Sequence, residues 1–183
     1  MNKMNGMASG GLLLLAVAAA NFATAAPAVG TAKARGDYST PFWGQSGGRS
    51  MRHARDYSRG YQTYARRAPT VAPMIAKQEA QGVGQNIALA KTQFGELRKA
   101  TTDKDTLASL DVIEKHLAEA TKAHAQMHEM CNMETIDAAG TMKCCEDVDA
   151  ALANALAEHE KMMKMLVRLL HFLDAKNCCT DIT

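Results

Sequence analysis

Aromatic residues are scarce in this 183-residue chain, at 5%, and proline is absent after Pro73. No alternation of apolar and polar residues is long enough to predict a strand. Five cysteines are too few for a disulfide-dense mini-protein. Only the N-terminal region has a long apolar run, which excludes a multi-span membrane protein. These absences favour an all-α protein with one modest domain.

Several motifs of catalysis and cofactor binding are also missing. The sequence has no Glu-x-x-His pair of the di-iron bundles and no His-Glu-x-x-His metalloprotease motif. It has no Cys-x-x-Cys pair, either for redox chemistry or for haem attachment. No constellation of a general acid, a base and a nucleophile is recognisable. We therefore expect a non-enzymatic binding protein.

The first 25 residues have the pattern of a signal peptide. Lys3 precedes an apolar run over residues 12–20, and Ala23-Thr24-Ala25 matches the small-x-small pattern of a cleavage site. The run is shorter than the roughly 20 residues that a transmembrane helix needs. We expect cleavage near Ala25 and a secreted or periplasmic mature chain without a transmembrane segment. The alternative is an uncleaved N-terminal anchor.

Residues 26–68 predict a basic arm or linker rich in Gly, Ser, Arg and Tyr. They carry a net charge of +6, whereas residues 69–183 carry −5. Glycine and serine indicate a flexible first half, and residues 51–67 allow a short fourth helix with Tyr57, Tyr61 and Tyr64 on one face. We interpret this face as docking on the bundle. The alternative is that the arm binds an anionic surface or protein partner, and export disfavours nucleic acid.

Residues 69–176 predict an antiparallel bundle of three long helices. Apolar residues recur at helical spacing over residues 73–99, 103–131 and 141–176, and short loops join them. Pro73 suits the first position of a helix. Thr101 or Thr102 is expected to cap the second helix, and Thr141 the third. A Cys-Cys tail, residues 177–183, follows.

Soft metal ligands are concentrated around the last loop. Four of them recur at i, i+3, i+4 and i+7 on the second helix, and two cysteines open the third. If the chain turns near Ile136, His128 faces Cys144 and His124 faces Val148. Thiolate, thioether and imidazole together favour copper(I), while zinc would use the cysteines and histidines. The expected ligands are His124, Met127, His128, Cys131, Cys144 and Cys145.

Two other interpretations compete for the same cysteines. Cys131 is close enough in the expected hairpin to form a disulfide with Cys144 or Cys145, and an oxidising compartment favours one. Such a disulfide closes a loop of about 15 residues and adds about 3 kcal/mol to the free energy of unfolding. A redox role for the Cys-Cys pair is the remaining alternative. The protein would then be an extracytoplasmic interaction protein whose basic arm contacts its partner.

Two smaller features remain. His159 lies on the apolar stripe of the third helix, near His116 and Met163, and the three are an alternative second metal site. The favoured interpretation of His159 is a core histidine with one hydrogen bond. Cys178 and Cys179 lie too far along the third helix to reach the hairpin cysteines. Three alternatives stay open for them: a bond with each other, a metal ion, or a disulfide to a second chain, which would give a homodimer.

Overall fold

The structure, a computed structural model, describes residues 39–177, with side chains as far as residue 168. All regular secondary structure in this range is α-helical. The predicted all-α class is therefore confirmed, but the bundle has four long helices and not three. They are α1 (Ser39–Arg67), α2 (Pro73–Ala100), α3 (Lys104–Cys131) and α4 (Ala138–Asn177).

Consecutive helices run antiparallel, and α1 also packs against α4. Ser58 of α1 bonds to the Cys145 carbonyl, whereas the His159 imidazole bonds to the carbonyl of Gly44, near the other end of α1. The backbone of each helix runs beside two neighbours, and in the described range the helices of each diagonal pair have no Cα atoms within 8 Å of each other, although their side chains meet in the centre, as Phe94 and His159 do. The four helices thus form a closed ring around one core.

The expected flexible first half is wrong for residues 39–50, because they belong to the 29-residue helix α1. The helix allowed over residues 51–67 is present as the second part of α1, and Tyr61 on its tyrosine face is buried in the bundle. The buried positions of α1 include Met51, Ala54, Ser58, Tyr61 and Ala65, which recur every three or four residues.

The glycines and serines of α1 look like a linker by composition alone. In the bundle most of them are buried where helices approach closely, and Gly60 is the exposed exception among the described glycines of α1. The buried ones are Gly44, Gly47, Gly48, Ser50 and Ser58.

Rings from neighbouring helices occupy the space above the glycines. A Cβ at Gly47 would lie 2.6 Å from the Phe94 ring, and one at Gly82 would lie 2.6 Å from the Tyr57 ring. Contacts this short exclude a side chain at these positions without movement of the ring. Glycine therefore sets how closely α1 and α2 approach.

Local signals define the helix ends. Pro73 opens α2 as predicted. Asp103, and neither of the preceding threonines, caps α3 through a 2.8 Å bond from the Thr106 amide. Helix α4 begins at Ala138, three residues before the predicted Thr141, and the Asp137 carboxylate accepts a bond from the Ala139 amide.

The longest helix, α4, has 40 residues against 28 in α3. At about 1.5 Å per residue, it extends some 18 Å further than its neighbour. No helix in the described range is long and apolar enough to cross a membrane. The expected signal peptide (1–25) and the cysteines of the 177–183 tail lie outside the described residues.

Candidate metal centre

Sulfur atoms meet at the end of the bundle that carries the α1–α2 and α3–α4 loops. Cys131 and Met127 come from α3, and Cys144 and Cys145 come from α4. Cys131, Cys145 and Met127 are fully buried, and Cys144 is 5% exposed. The Cys145 thiol lies 3.6 Å from the Met127 sulfur. Four of the six predicted ligands are thus brought into one region, and the structure has no disulfide among the three cysteines.

Hydroxyl groups from α1 surround this sulfur cluster, which we define as Met127, Cys131, Cys144 and Cys145. The Tyr61 hydroxyl donates to Thr141 Oγ1 at 3.0 Å and interacts with the Cys131 thiol. Ser58 donates to the Cys145 carbonyl at 3.0 Å. In the described residues every buried side-chain nitrogen and oxygen has a hydrogen-bond partner. Among the described residues the buried side-chain oxygens at this end are thus already hydrogen-bonded, and the buried soft atoms are the four sulfurs of the cluster.

Burial keeps the thiols protonated. It raises the pKa of the Cys145 thiol to about 12, and it also raises the pKa values of Cys131 and Cys144. Burial likewise raises the pKa of Tyr61 to about 12. The cause is the low polarity of the interior, which disfavours the charged thiolate and phenolate. An ion that binds here must displace protons.

The two predicted histidine ligands face a different neighbour. His124 Nε2 donates to the Ala80 carbonyl of α2 at 2.9 Å, and the ring lies against Gly84. His128 is exposed, and its ring centroid lies 6.0 Å from that of His124. The i, i+4 spacing does place the two imidazoles together. However, they lie on the side of α3 that faces α2, so the expected contact of His128 with Cys144 is wrong.

The alternative second site is divided between two environments. His159 is buried between α1 and α4, and its Nε2 donates to the Gly44 carbonyl at 2.8 Å. Met163 packs against the same Gly44. His116 bonds instead to Glu119 on its own helix, at 2.8 Å. The structure thus gives His159 the single hydrogen bond of a core histidine.

Within residues 39–168, no three His, Cys, Asp or Glu side chains are positioned to hold one metal ion together. A soft site here would therefore depend on the Met127 thioether and on small rotations of the cysteines. Cys178 and Cys179 lie outside the described residues.

Sequence reasoning placed the tyrosine face of residues 51–67 against the bundle but missed its contribution to the sulfur cluster. Ser58 and Tyr61 reach the sulfur cluster, and the heptad pattern of Met51, Ser58 and Ala65 was the available signal.

The segment Gly44-Gln45-Ser46-Gly47-Gly48 also has the letters of a hydrolase nucleophile elbow. It lies inside α1 with no strand before it, so it lacks the strand–turn–helix context of that motif.

Comparison with known proteins leaves the site to be interpreted from its own geometry. No protein family, no curated protein and no solved structure matches the chain.

Proposed function

We propose that this protein binds copper(I) through the sulfur cluster and acts in sequestration or delivery of the ion, without catalysis. One observation carries the proposal. The thiol of Cys145 lies 3.6 Å from the Met127 thioether, in a buried region that also holds two further thiols. Thiolate and thioether are the ligands that copper(I) prefers.

The spacing of these two sulfur atoms suits a shared ion. Metal–sulfur bonds are about 2.3 Å for zinc thiolates, so two sulfurs 3.6 Å apart would bind one ion at an angle of about 100°. Cys131, at the end of α3, and Cys144, near the start of α4, are both buried at the same end of the bundle. One of them can supply a third sulfur by a change of side-chain rotamer.

The positions of the histidines favour copper over zinc. A zinc site would combine the cysteines with imidazoles, but His124 is bonded to Ala80 of α2 and His128 is exposed beside it. The interior set then contains only sulfur ligands. Because the thiols are protonated at neutral pH, binding releases protons and strengthens as pH rises.

Anaerobic titration with copper(I) against a chromophoric chelator tests this proposal. We expect about one tightly bound ion per chain, with affinity lost in Cys145→Ser and reduced in Met127→Leu. His128→Ala is the matched control and should bind normally. Circular dichroism of each variant checks that the bundle is intact.

Two results would overturn the proposal. One is a reduced, folded protein that does not bind copper(I). The other is binding that survives replacement of all three cluster cysteines by serine and is lost in the double variant Cys178→Ser/Cys179→Ser. A free-thiol count on exported protein is a further test. At most one free thiol per chain would favour the disulfide staple.

The N-terminal pattern supports a secreted or periplasmic location for this binding. Mass spectrometry of the exported chain tests it directly. A new N-terminus at Ala26 is expected, whereas an intact Met1 would contradict cleavage.

A second candidate function rests on the outer face of α1. Arg49 and Arg52 are exposed one turn apart, and neither forms an ion pair within the described part of the chain. This arrangement favours contact with an anionic surface. We expect Arg49→Glu/Arg52→Glu to lose salt-sensitive binding to phosphatidylglycerol vesicles, while Lys77→Glu on α2 retains it. Equal binding by both variants would contradict this candidate.

A further inference from the structure

Sulfur atoms near the α3–α4 loop become progressively more buried toward the cluster. Met133, in the loop, is 59% exposed, and Met130, on the last turn of α3, is half-buried. Cys144 is 5% exposed, and the remaining three sulfur residues of the cluster are fully buried. Met133 therefore lies at the exposed end of a series of sulfur side chains that leads through Met130 to Cys144.

The geometry joins the outer and inner members of this series. The sulfur of Met130 lies 3.2 Å from where a Cβ on Gly140 would be. Cys144 follows Gly140 by four residues, so it lies on the same side of α4 about 6 Å further along. The Met133 amide donates to the Met130 carbonyl at 3.3 Å, which holds the loop residue beside the helix end. Glycine at position 140 leaves room for the methionine sulfur.

We propose that Met133, Met130 and Cys144 form the access route by which copper(I) reaches the sulfur cluster. This inference rests on the proposed function. The ion moves by ligand exchange, in which one copper–sulfur bond forms as another breaks. At Cys144 the thiol loses its proton to solvent as the copper–thiolate bond forms. No electron is transferred at any step, so no oxidant or reductant is needed.

The kinetics of copper transfer test the route. The coloured copper(I)–bicinchoninate complex is mixed anaerobically with excess reduced protein, and the loss of colour is followed by stopped flow. We expect the double variant Met130→Leu/Met133→Leu to take up copper about five-fold more slowly, with an equilibrium affinity within about two-fold of the original. Leucine has nearly the same volume, so the fold is retained. Met74→Leu is the matched control, since Met74 is 77% exposed on α2.

Each other outcome has a defined meaning. An unchanged uptake rate in a double variant that binds copper normally would overturn the route and leave the binding site standing. A parallel loss of rate and affinity would make Met130 or Met133 a permanent ligand, which also overturns the route. Absence of copper binding in the unmodified protein would remove both the route and the proposed function.

Discussion

Gly48 and the His159 imidazole are in direct contact across the α1–α4 interface. A Cβ at Gly48 would lie 2.3 Å from His159 Cε1, while the same ring donates a 2.8 Å bond to the Gly44 carbonyl. One ring thus satisfies a backbone acceptor and fills the space above a glycine on the same helix. The packing of α1 against α4 depends on both members of this pair.

Gly48→Ala should destabilise the protein. Alanine gains up to about 1 kcal/mol of helix propensity, but displacing the buried ring costs about 1–3 kcal/mol. We expect a net loss of roughly 1–2 kcal/mol in urea denaturation. The matched control is Gly95→Ala on α2, where nothing lies within 4 Å of the added methyl group, and a gain is expected. Equal stability of the two variants would contradict this account of the interface.

Stability should fall as the pH drops below about 6.5. Burial lowers the pKa of His159, more than the Gly44 bond raises it; Arg52 lowers it further, and Glu160 opposes. The pKa of His124 is also lowered by burial. The unfolded chain therefore binds more protons than the folded chain in this range, which favours unfolding.

Urea denaturation at several pH values checks this dependence. In His159→Gln the new side chain has an amide that can donate a hydrogen bond but does not titrate, so the stability of this variant should change less between pH 7 and pH 5.5. The exposed His53→Gln should behave like the unmodified protein. An unaltered pH dependence in His159→Gln would rule out the assigned role.

Asp149→Asn should cost about 1–2 kcal/mol of stability. Arg55 and Arg59 both bond to this carboxylate, each at 2.9 Å from Nε. Burial raises the pKa of Asp149, but the two arginines together outweigh it and hold the pKa below its usual value. The stabilisation is therefore full above about pH 4 and is lost as the pH falls further. Glu160→Gln, at an exposed pair with Lys164, should cost almost nothing.

Alkylation should modify Cys144 before the other two cysteines of the cluster. Cys144 is 5% exposed, whereas Cys131 and Cys145 are fully buried. Burial raises the pKa of all three thiols, so each reacts slowly at neutral pH. Iodoacetamide labelling followed by peptide mass spectrometry gives the order. Earlier labelling of Cys131 or Cys145 would show that the α3–α4 side is not where reagents enter.

Much of the helical core could be predicted from apolar spacing. Val83, Ile113 and Leu152 lie on the stripes assigned to their helices, and all are buried. The first half of α1 was misjudged because small interior residues and linker residues share one composition. Burial of Gly47 under the Phe94 ring is a property of the partner helix, and no local pattern in α1 reveals it.

The candidate site was predicted in part. The register that opposes α3 to α4 is confirmed by the Met127–Cys145 contact. The prediction that His124 and His128 face α4 was wrong, because a residue at the edge of a helix's apolar stripe can face either neighbouring helix. Only the position of α2, whose Ala80 carbonyl accepts the His124 bond, decides between them. The role of Tyr61 required knowing that α1 packs beside α4.

The pairing of the first described helix with the last has a consequence for biosynthesis. Tyr61 and Thr141, which bond at the sulfur cluster, are 80 residues apart. At about 5–20 residues per second, roughly 4–16 s of translation separate them. Every nascent chain that stops before α4 therefore has Tyr61 and Ser58 without Cys144 and Cys145. A chain interrupted before Cys145 therefore cannot assemble the cluster.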